Sequence, residues 1–428
     1  MTRFENVHLL LGRACSLVVS SALVAAAFAW APSVPAQNAV PAAASQTASS
    51  STQPCSWPLE VDGRGTANYL NPDTDATYWV MPVDTSTWQS MIVKGQYTHS
   101  RFFSFTSYYN PQQRSPRVAS STIDADIAPD PGSVNPFAAQ TTDAPAPGNY
   151  TITFDSNASG TGNHLQWAVG QVTYILYRVY VADGGLGYEA GVPLPSLTLI
   201  DSAGQQYPLS ECKPGNSETA ALQSTLATLA AGAPPPQTCP TSAPAQVTFA
   251  PGGENGVFPN PAATYYIARG LCPQASQVVV VRGQAADFPD TYHGSSIFQP
   301  DFPDAGAGVQ LRYWSLCNDK EEGLDPTAGC RADYNTQRDW SGFYTYVIAP
   351  EESGGKPAWV PTGVTWLPWG DPTVQSMLFF RVMLPAPGFE LTGPYLPQGV
   401  YCDKDVFAQE GSAGCFGAAG AAAPSVLE

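Results

Sequence analysis

The sequence predicts an all-β chain: two tandem, homologous antiparallel β-sandwich domains of jelly-roll-like type, joined by a short helical and proline-rich linker. Three observations lead there. Only 12 % of the 428 residues are charged, about half the globular average, while 38 Gly and 41 Pro disfavour long amphipathic helices and supply turns. Short apolar runs rich in aromatic and β-branched residues, such as 174–181 and 378–384, suit strands buried on both faces. Motifs of the first half return in the same order in the second. With 43 % apolar residues, including 18 Phe, 20 Tyr and 10 Trp, the chain has enough material for large cores.

Residues 1–36 read as a secretory signal. Arg3 and Arg13 give a positive start, Ser16 to Ala29 an apolar stretch too short for a bilayer anchor of about 20 residues, and Val34-Pro35-Ala36 a small-residue cleavage site before Gln37. Cleavage after Ala29 is the alternative. Residues 37–54, rich in Ala, Ser and Thr, form a flexible leader. Domain 1 is expected over 55–212, a linker over 213–238, domain 2 over 239–402 and a C-terminal tail over 403–428, frayed from Gly411 apart from Cys415. In the linker, Ser217 is the expected cap of a short helix carrying Leu222, Leu226 and Leu229, which Pro234-Pro235-Pro236 would end.

Without the signal, eight cysteines remain: Cys55, Cys212, Cys239, Cys272, Cys317, Cys330, Cys402 and Cys415. An even count in an exported chain reads as four disulfides, and the absence of any Cys-x-x-Cys pair leaves zinc little support. Of about 105 possible pairings, Cys317–Cys330 and Cys402–Cys415 are the expected local ones, leaving Cys55–Cys212 and Cys239–Cys272 by elimination. The expected location is secreted or periplasmic, with no membrane span in the mature chain. A net charge of −17 argues against a nucleic-acid partner.

The repeat is carried by short matches. Asn71-Pro72 with Thr77-Tyr78-Trp79 answers to Asn260-Pro261 with Thr264-Tyr265-Tyr266, and Val93-Lys94-Gly95-Gln96 to Val281-Arg282-Gly283-Gln284. Arg101-Phe102-Phe103-Ser104 answers to Arg312-Tyr313-Trp314-Ser315, and Gly148-Asn149-Tyr150-Thr151 to Gly342-Phe343-Tyr344-Thr345. His164-Leu165-Gln166-Trp167 answers to Trp366-Leu367-Pro368-Trp369, and Arg178-Val179 to Arg381-Val382. Between Gln284 and Leu311 the second copy carries an insertion that includes Tyr292-His293-Gly294. These motifs resemble the paired β-domains of unknown function in uncharacterised exported bacterial proteins. The resemblance implies a two-domain β fold outside the cytoplasm and no particular reaction.

Arg101, Arg178, Arg312 and Arg381 are the most unusual feature, each expected among large apolar neighbours on a strand. Two roles are open to them: buried pairing, or a clamp for a ligand carboxylate. Trp366 and Trp369, with Trp359 and Trp340, could stack on a sugar or pack in a core. Asp73 and Asp75 are expected in a solvated loop, as are Asp124, Asp126 and Asp130, whose spacing by two could hold calcium but lacks the other positions of an EF-hand. No cofactor is otherwise indicated. A histidine base must be His99, His164 or His293; His293, in the insertion, is the best histidine candidate for catalysis, and Asp73 is the other catalytic candidate. The expected function is binding of an unknown small molecule, glycan or envelope protein. The alternative is an extracytoplasmic hydrolase or lyase that uses carboxylates and arginines in a cleft between the domains.

Overall fold

The computed structural model describes residues 54–420 apart from 66, 110–116, 139–147, 161, 214, 232–237, 240–246, 253–257 and 296–308, so the expected signal and leader lie outside the described residues. Residues 52–428 cluster as one compact unit. The structure is all-β and sandwich-like, built from four sheets.

In the first half, strands β1 (Leu59–Asp62), β2 (Ala76–Asp84), β3 (Ser90–Gln96), β4 (Ser100–Tyr109), β5 (Arg117–Ile123), β6 (Asn149–Asp155), β7 (His164–Gln166), β8 (Val172–Ala182), β9 (Ser196–Ile200) and β10 (Gln206–Pro208) form two sheets of order β1-β2-β8-β4-β5 and β10-β9-β3-β6-β7. After helix α1 (Ser217–Ala231) the second half has a five-stranded sheet of corresponding order and a four-stranded sheet with no counterpart of β10. Its strands are β11 (Ala250–Pro251), β12 (Ala263–Leu271), β13 (Gln277–Gln284), β14 (Leu311–Lys320), β15 (Thr327–Ala332), β16 (Phe343–Ala349), β17 (Thr365–Pro368), β18 (Ser376–Pro385) and β19 (Gln398–Asp403). They form sheets of order β11-β12-β18-β14-β15 and β17-β16-β13-β19. The sheets are antiparallel except at their edges, where β7 runs parallel to β6 and β17 parallel to β16.

Matched motifs occupy matched strands. Ser104 opposes Arg178, as Ser315 opposes Arg381. Gly95 opposes Tyr150 and Gly283 opposes Tyr344, and in both places the tyrosine hydroxyl lies where a Cβ would have to go, which gives a physical reason for glycine in both Val-x-Gly-Gln motifs. The same tyrosines pack against Phe103 and Trp314 of the facing sheets, with ring centroids 5.7 and 5.2 Å apart.

Each half fills its sandwich with an apolar core: Trp79, Met91, Phe103, Phe105, Tyr150, Phe154 and Tyr177 in the first, Val279, Val281, Trp314, Tyr344, Tyr346, Leu367 and Phe380 in the second. The faces of β4 and β8 that point away from the first core meet those of β14 and β18, so that Phe102, Tyr180, Tyr313 and Met383 share one seam between the halves.

Helix α1 does more than connect. Leu222 and Leu226 pack on Leu59, Val61, Tyr174 and Leu176, and the cap is Asn216, whose side chain accepts from Thr219 N at 2.8 Å, rather than Ser217. Its Leu229 side chain lies outside the described residues. In the C-terminal tail α2 (Lys404–Glu410) and α3 (Ser412–Gly420), the latter where fraying was expected apart from Cys415, set Phe407, Cys415 and Phe416 against Val278, Val280 and Cys402, because that face of the sheet is apolar and needs cover. The four disulfides join Cys55 to Cys212, Cys239 to Cys272, Cys317 to Cys330 and Cys402 to Cys415. Among the described residues no helix is long and apolar enough to cross a membrane.

Candidate functional site at the seam

The four strand arginines converge on the seam, and each is held by acceptors from the opposite half. Arg101 of β4 pairs with Asp333 and Arg312 of β14 pairs with Asp124, with all four side chains removed from solvent. Asp124 and Asp333 each begin a 3-10 turn just after β5 and β15. Each also accepts from the backbone of its own half: Asp124 from Phe103 N at 2.9 Å, Asp333 from Trp314 N at 3.0 Å. The pairs are therefore reciprocal, one half supplying the cation where the other supplies the anion.

Arg381 follows the same logic. It pairs with Asp73 and donates to Asn71 O at 3.0 Å, so the first Asn-Pro loop closes over an arginine of the second half. Arg178 donates to Thr106 Oγ1 and Phe258 O, both at 3.0 Å, and the residue preceding the second Asn-Pro loop closes over an arginine of the first. Leu70, Asn71 and Phe258 adopt positive φ to bring these carbonyls inward. Burial of a guanidinium demands such acceptors.

Several expected site residues thus sit in the interior. Asp73, read from sequence as a solvated loop acid, is fully buried and accepts from Tyr313 and Ser315 hydroxyls at 2.7 Å as well as from Arg381. Asp124, read as a solvated loop acid with calcium binding as the alternative, is the buried counter-ion of Arg312. Asp126 is exposed, and Asp130 accepts from Thr151 Oγ1 at 3.1 Å. Asp73 is near Cys317 and Cys330 in a group with metal-ligand spacing, but those sulfurs are bonded to each other. Trp366 is 9 % exposed with Nε1 donating to Ala349 O and packs in the apolar layer under α2 and α3, while Trp369, just past β17, is buried in the core of the second sandwich. Trp340, by contrast, is 99 % exposed.

One end of the seam reaches solvent. The insertion after β13 places a 3-10 turn, Thr291–His293, against the 3-10 turn Asp183–Gly185 that follows β8. His293 Nδ1 lies 2.7 Å from Asp290 Oδ2, and the imidazole is 60 % exposed. Asp290 Oδ1 is 3.8 Å from Arg101 Nη2. Tyr292 stacks on Tyr334 with centroids 4.3 Å apart, and Tyr334 donates to Asp75 Oδ1 at 2.7 Å. Burial, then the charge of Asp73, pushes the Asp75 carboxyl up to about 6. Burial also raises Asp183, against the pull of Thr291, His99 and Arg101. The result is a corner built from both halves: two stacked tyrosines, a His–Asp pair, and two carboxyls shifted towards neutrality.

No family profile matches the chain. No curated protein matches it. Among solved structures its fold is similar to that of a putative uncharacterized protein from Burkholderia cenocepacia, with a TM-score of 0.50, 13 % identity and 81 % of each chain covered. The VPA0106 protein of Vibrio parahaemolyticus aligns with a TM-score of 0.39 and 11 % identity over 77 % of this chain and 90 % of its own. The Burkholderia likeness speaks for the fold alone.

The sequence brought forward His293 and Asp73 as candidates. The structure puts His293 in the seam corner and Asp73 in the interior behind it, next but one to Asp75. Asp290, Asp183, Tyr292 and Tyr334 were not singled out as site residues. Only Asp290, three residues before His293 on one 3-10 turn, left a local signal; the others meet through the seam. His164 pairs with Asp155 on an exposed edge far along the first half, and His99 is exposed beside Asp183.

Proposed function

We propose that the chain is a secreted or periplasmic ligand-binding protein and that the seam corner is its binding site. Four disulfides support an oxidising compartment. The observation that carries the binding reading is the Tyr292–Tyr334 stack, part-exposed and bracketed by Asp75, Asp290 and His293 on a scaffold locked by buried ion pairs. Aromatic faces beside directional polar groups, held on rigid elements, are the usual makings of a small-molecule site.

The test is a thermal-shift screen of small metabolites on the mature protein, repeated with Tyr292→Ala and His293→Ala. Compounds that raise the parent's midpoint should lose their effect in both variants. Hits that act equally on the variants place the site elsewhere and refute the reading.

A hydrolase or lyase is the second reading, because the Asp75 carboxyl, raised to about 6, is hydrogen-bonded to Tyr334, whose ring lies 6.1 Å from the His293 imidazole. Asp75→Asn separates the two. An enzyme turns the ligand over and loses that turnover in Asp75→Asn, whereas a binding protein shows no turnover in parent or variant.

A further inference from the structure

Behind the tyrosine stack lies a layer of polar atoms whose hydrogen-bonding capacity the described residues do not use. Arg101, 0 % exposed, gives Nη1 to Asp333, but neither its Nε nor its Nη2 has a hydrogen-bond partner, since Asp290 stands off at 3.8 Å. Thr291, 3 % exposed, has Oγ1 unpartnered. Asp183 Oδ1 is buried and unpartnered as well, although the Thr291 hydroxyl is near enough to favour the charge of that carboxylate. Asp183 is the member that continues to the surface, being part-exposed as a residue. The layer is close to Tyr292, the next residue after Thr291, and to the stack with Tyr334.

The mixture of groups selects among ligand chemistries. A pure cation would satisfy Asp183 but would sit against the Arg101 guanidinium. A pure anion would satisfy Arg101 but would face Asp75, Asp183 and Asp290. A hydroxyl does both at once, accepting from Arg101 and donating to Asp183, with Thr291 able to take either role. Unused donors and acceptors side by side therefore call for a group that is neutral and amphoteric. The adjoining tyrosines offer apolar faces for the C–H surface of a ring that carries such hydroxyls.

We propose that the seam corner recognises a neutral polyhydroxylated ligand, a sugar ring, with one hydroxyl bridging Asp183 and Arg101 beside Thr291 and the ring lying on Tyr292 and Tyr334. The proposal rests on reading the corner as a binding site and names the class that site takes. Arg101 is already fixed by Asp333, and Asp183 is anchored through its backbone N–H to His99 O at 2.9 Å, so the recognising atoms are held in place before a ligand arrives.

The experiment measures binding of maltose, cellobiose and di-N-acetylchitobiose to the mature, disulfide-bonded protein by calorimetry. Protection of His293 from diethyl pyrocarbonate is followed in parallel, with n-butylamine and glutarate as the cationic and anionic probes. At least one sugar should bind saturably and protect His293. Asp183→Asn should weaken it about tenfold or more, and Tyr334→Phe, which keeps the ring, should weaken it less than Tyr334→Ala. Circular dichroism of each variant confirms that the fold is retained. Protection by butylamine or glutarate with none from the sugars overturns the sugar assignment and leaves the site standing. If no probe protects His293 or binds, or a sugar binds with equal affinity to the parent and Asp183→Asn, the site itself is refuted as the sugar's place.

Discussion

Asp333→Ala is the sharpest test of the reciprocal pairs. The carboxylate accepts from Arg101 Nη1, from Tyr334 N at 2.7 Å and from Trp314 N at 3.0 Å, all in a layer without solvent. Removing it leaves a buried guanidinium unpaired, which costs about 3–5 kcal/mol, and strands two backbone N–H groups at roughly 1–3 kcal/mol each if neither finds water. These terms overlap, so a loss of about 5 kcal/mol is expected, a large share of a typical total of roughly 5–15 kcal/mol. Arg101→Met should cost less, because it leaves Asp333 with its two backbone donors. In Arg101→Met/Asp333→Ala the charges go together, and the double variant should recover about 2 kcal/mol or more relative to the sum of the singles. Urea midpoints at neutral pH with the slope held in view measure all four states. A single loss within about 0.5 kcal/mol, or a cycle with no coupling, would refute the claim that the pair holds the halves together.

Asp319 is buried with neither carboxyl oxygen hydrogen-bonded in the structure, and burial lifts it to about 8. The folded state then binds a proton that the unfolded state releases near ~3.9, so this group lowers stability as pH rises towards 8, by up to about 1.4 kcal/mol per unit. Asp319→Asn should flatten that dependence, and urea midpoints between pH 5 and 8.5 that keep the parent's slope would count against it. Gly283→Ala should cost about 1–3 kcal/mol through overpacking on the Tyr344 hydroxyl, and Tyr344→Phe in the same chain should restore part of it. If Gly283→Ala is neutral, tyrosine contact does not explain the glycine. Denatured, unreduced mature protein should show no labelled thiol, and Cys317→Ser/Cys330→Ser should lose roughly 2–5 kcal/mol by urea titration. Stoichiometric labelling would disprove the pairing.

Strands were legible because continuous apolar runs and the turn residues that bound them are local signals. The runs around Tyr174 and Leu378 became β8 and β18, buried along nearly their whole length. The motif matches pointed to equivalent strands because Gly95 and Gly283 each answer a tyrosine one strand away. The parallel edges β7 and β17 were not legible, since strand direction depends on the path of the connecting loop. Nor was the fate of Asp73 and Asp124. Both stand among turn residues, where solvation is the usual outcome, and their arginines lie 308 and 188 residues away. The same distance hides the corner: Asp75, Asp183 and Tyr334 are unremarkable until the seam assembles them.

The crossed pairing also sets an order of events at the ribosome. A chain grown through the first half already contains Arg101 and Asp124, but the anion for one is Asp333 and the cation for the other is Arg312, both still to be made. Arg178 likewise waits for the carbonyl of Phe258. The seam face of the emerging first half therefore carries unmatched charges in an apolar setting, and the native seam cannot be completed until β18, with Arg381 and Met383, has appeared. That delay would keep the nascent first half loose for as long as the second half is missing. It would also penalise any truncated product, whose unpaired guanidinium groups would mark it for proteolysis.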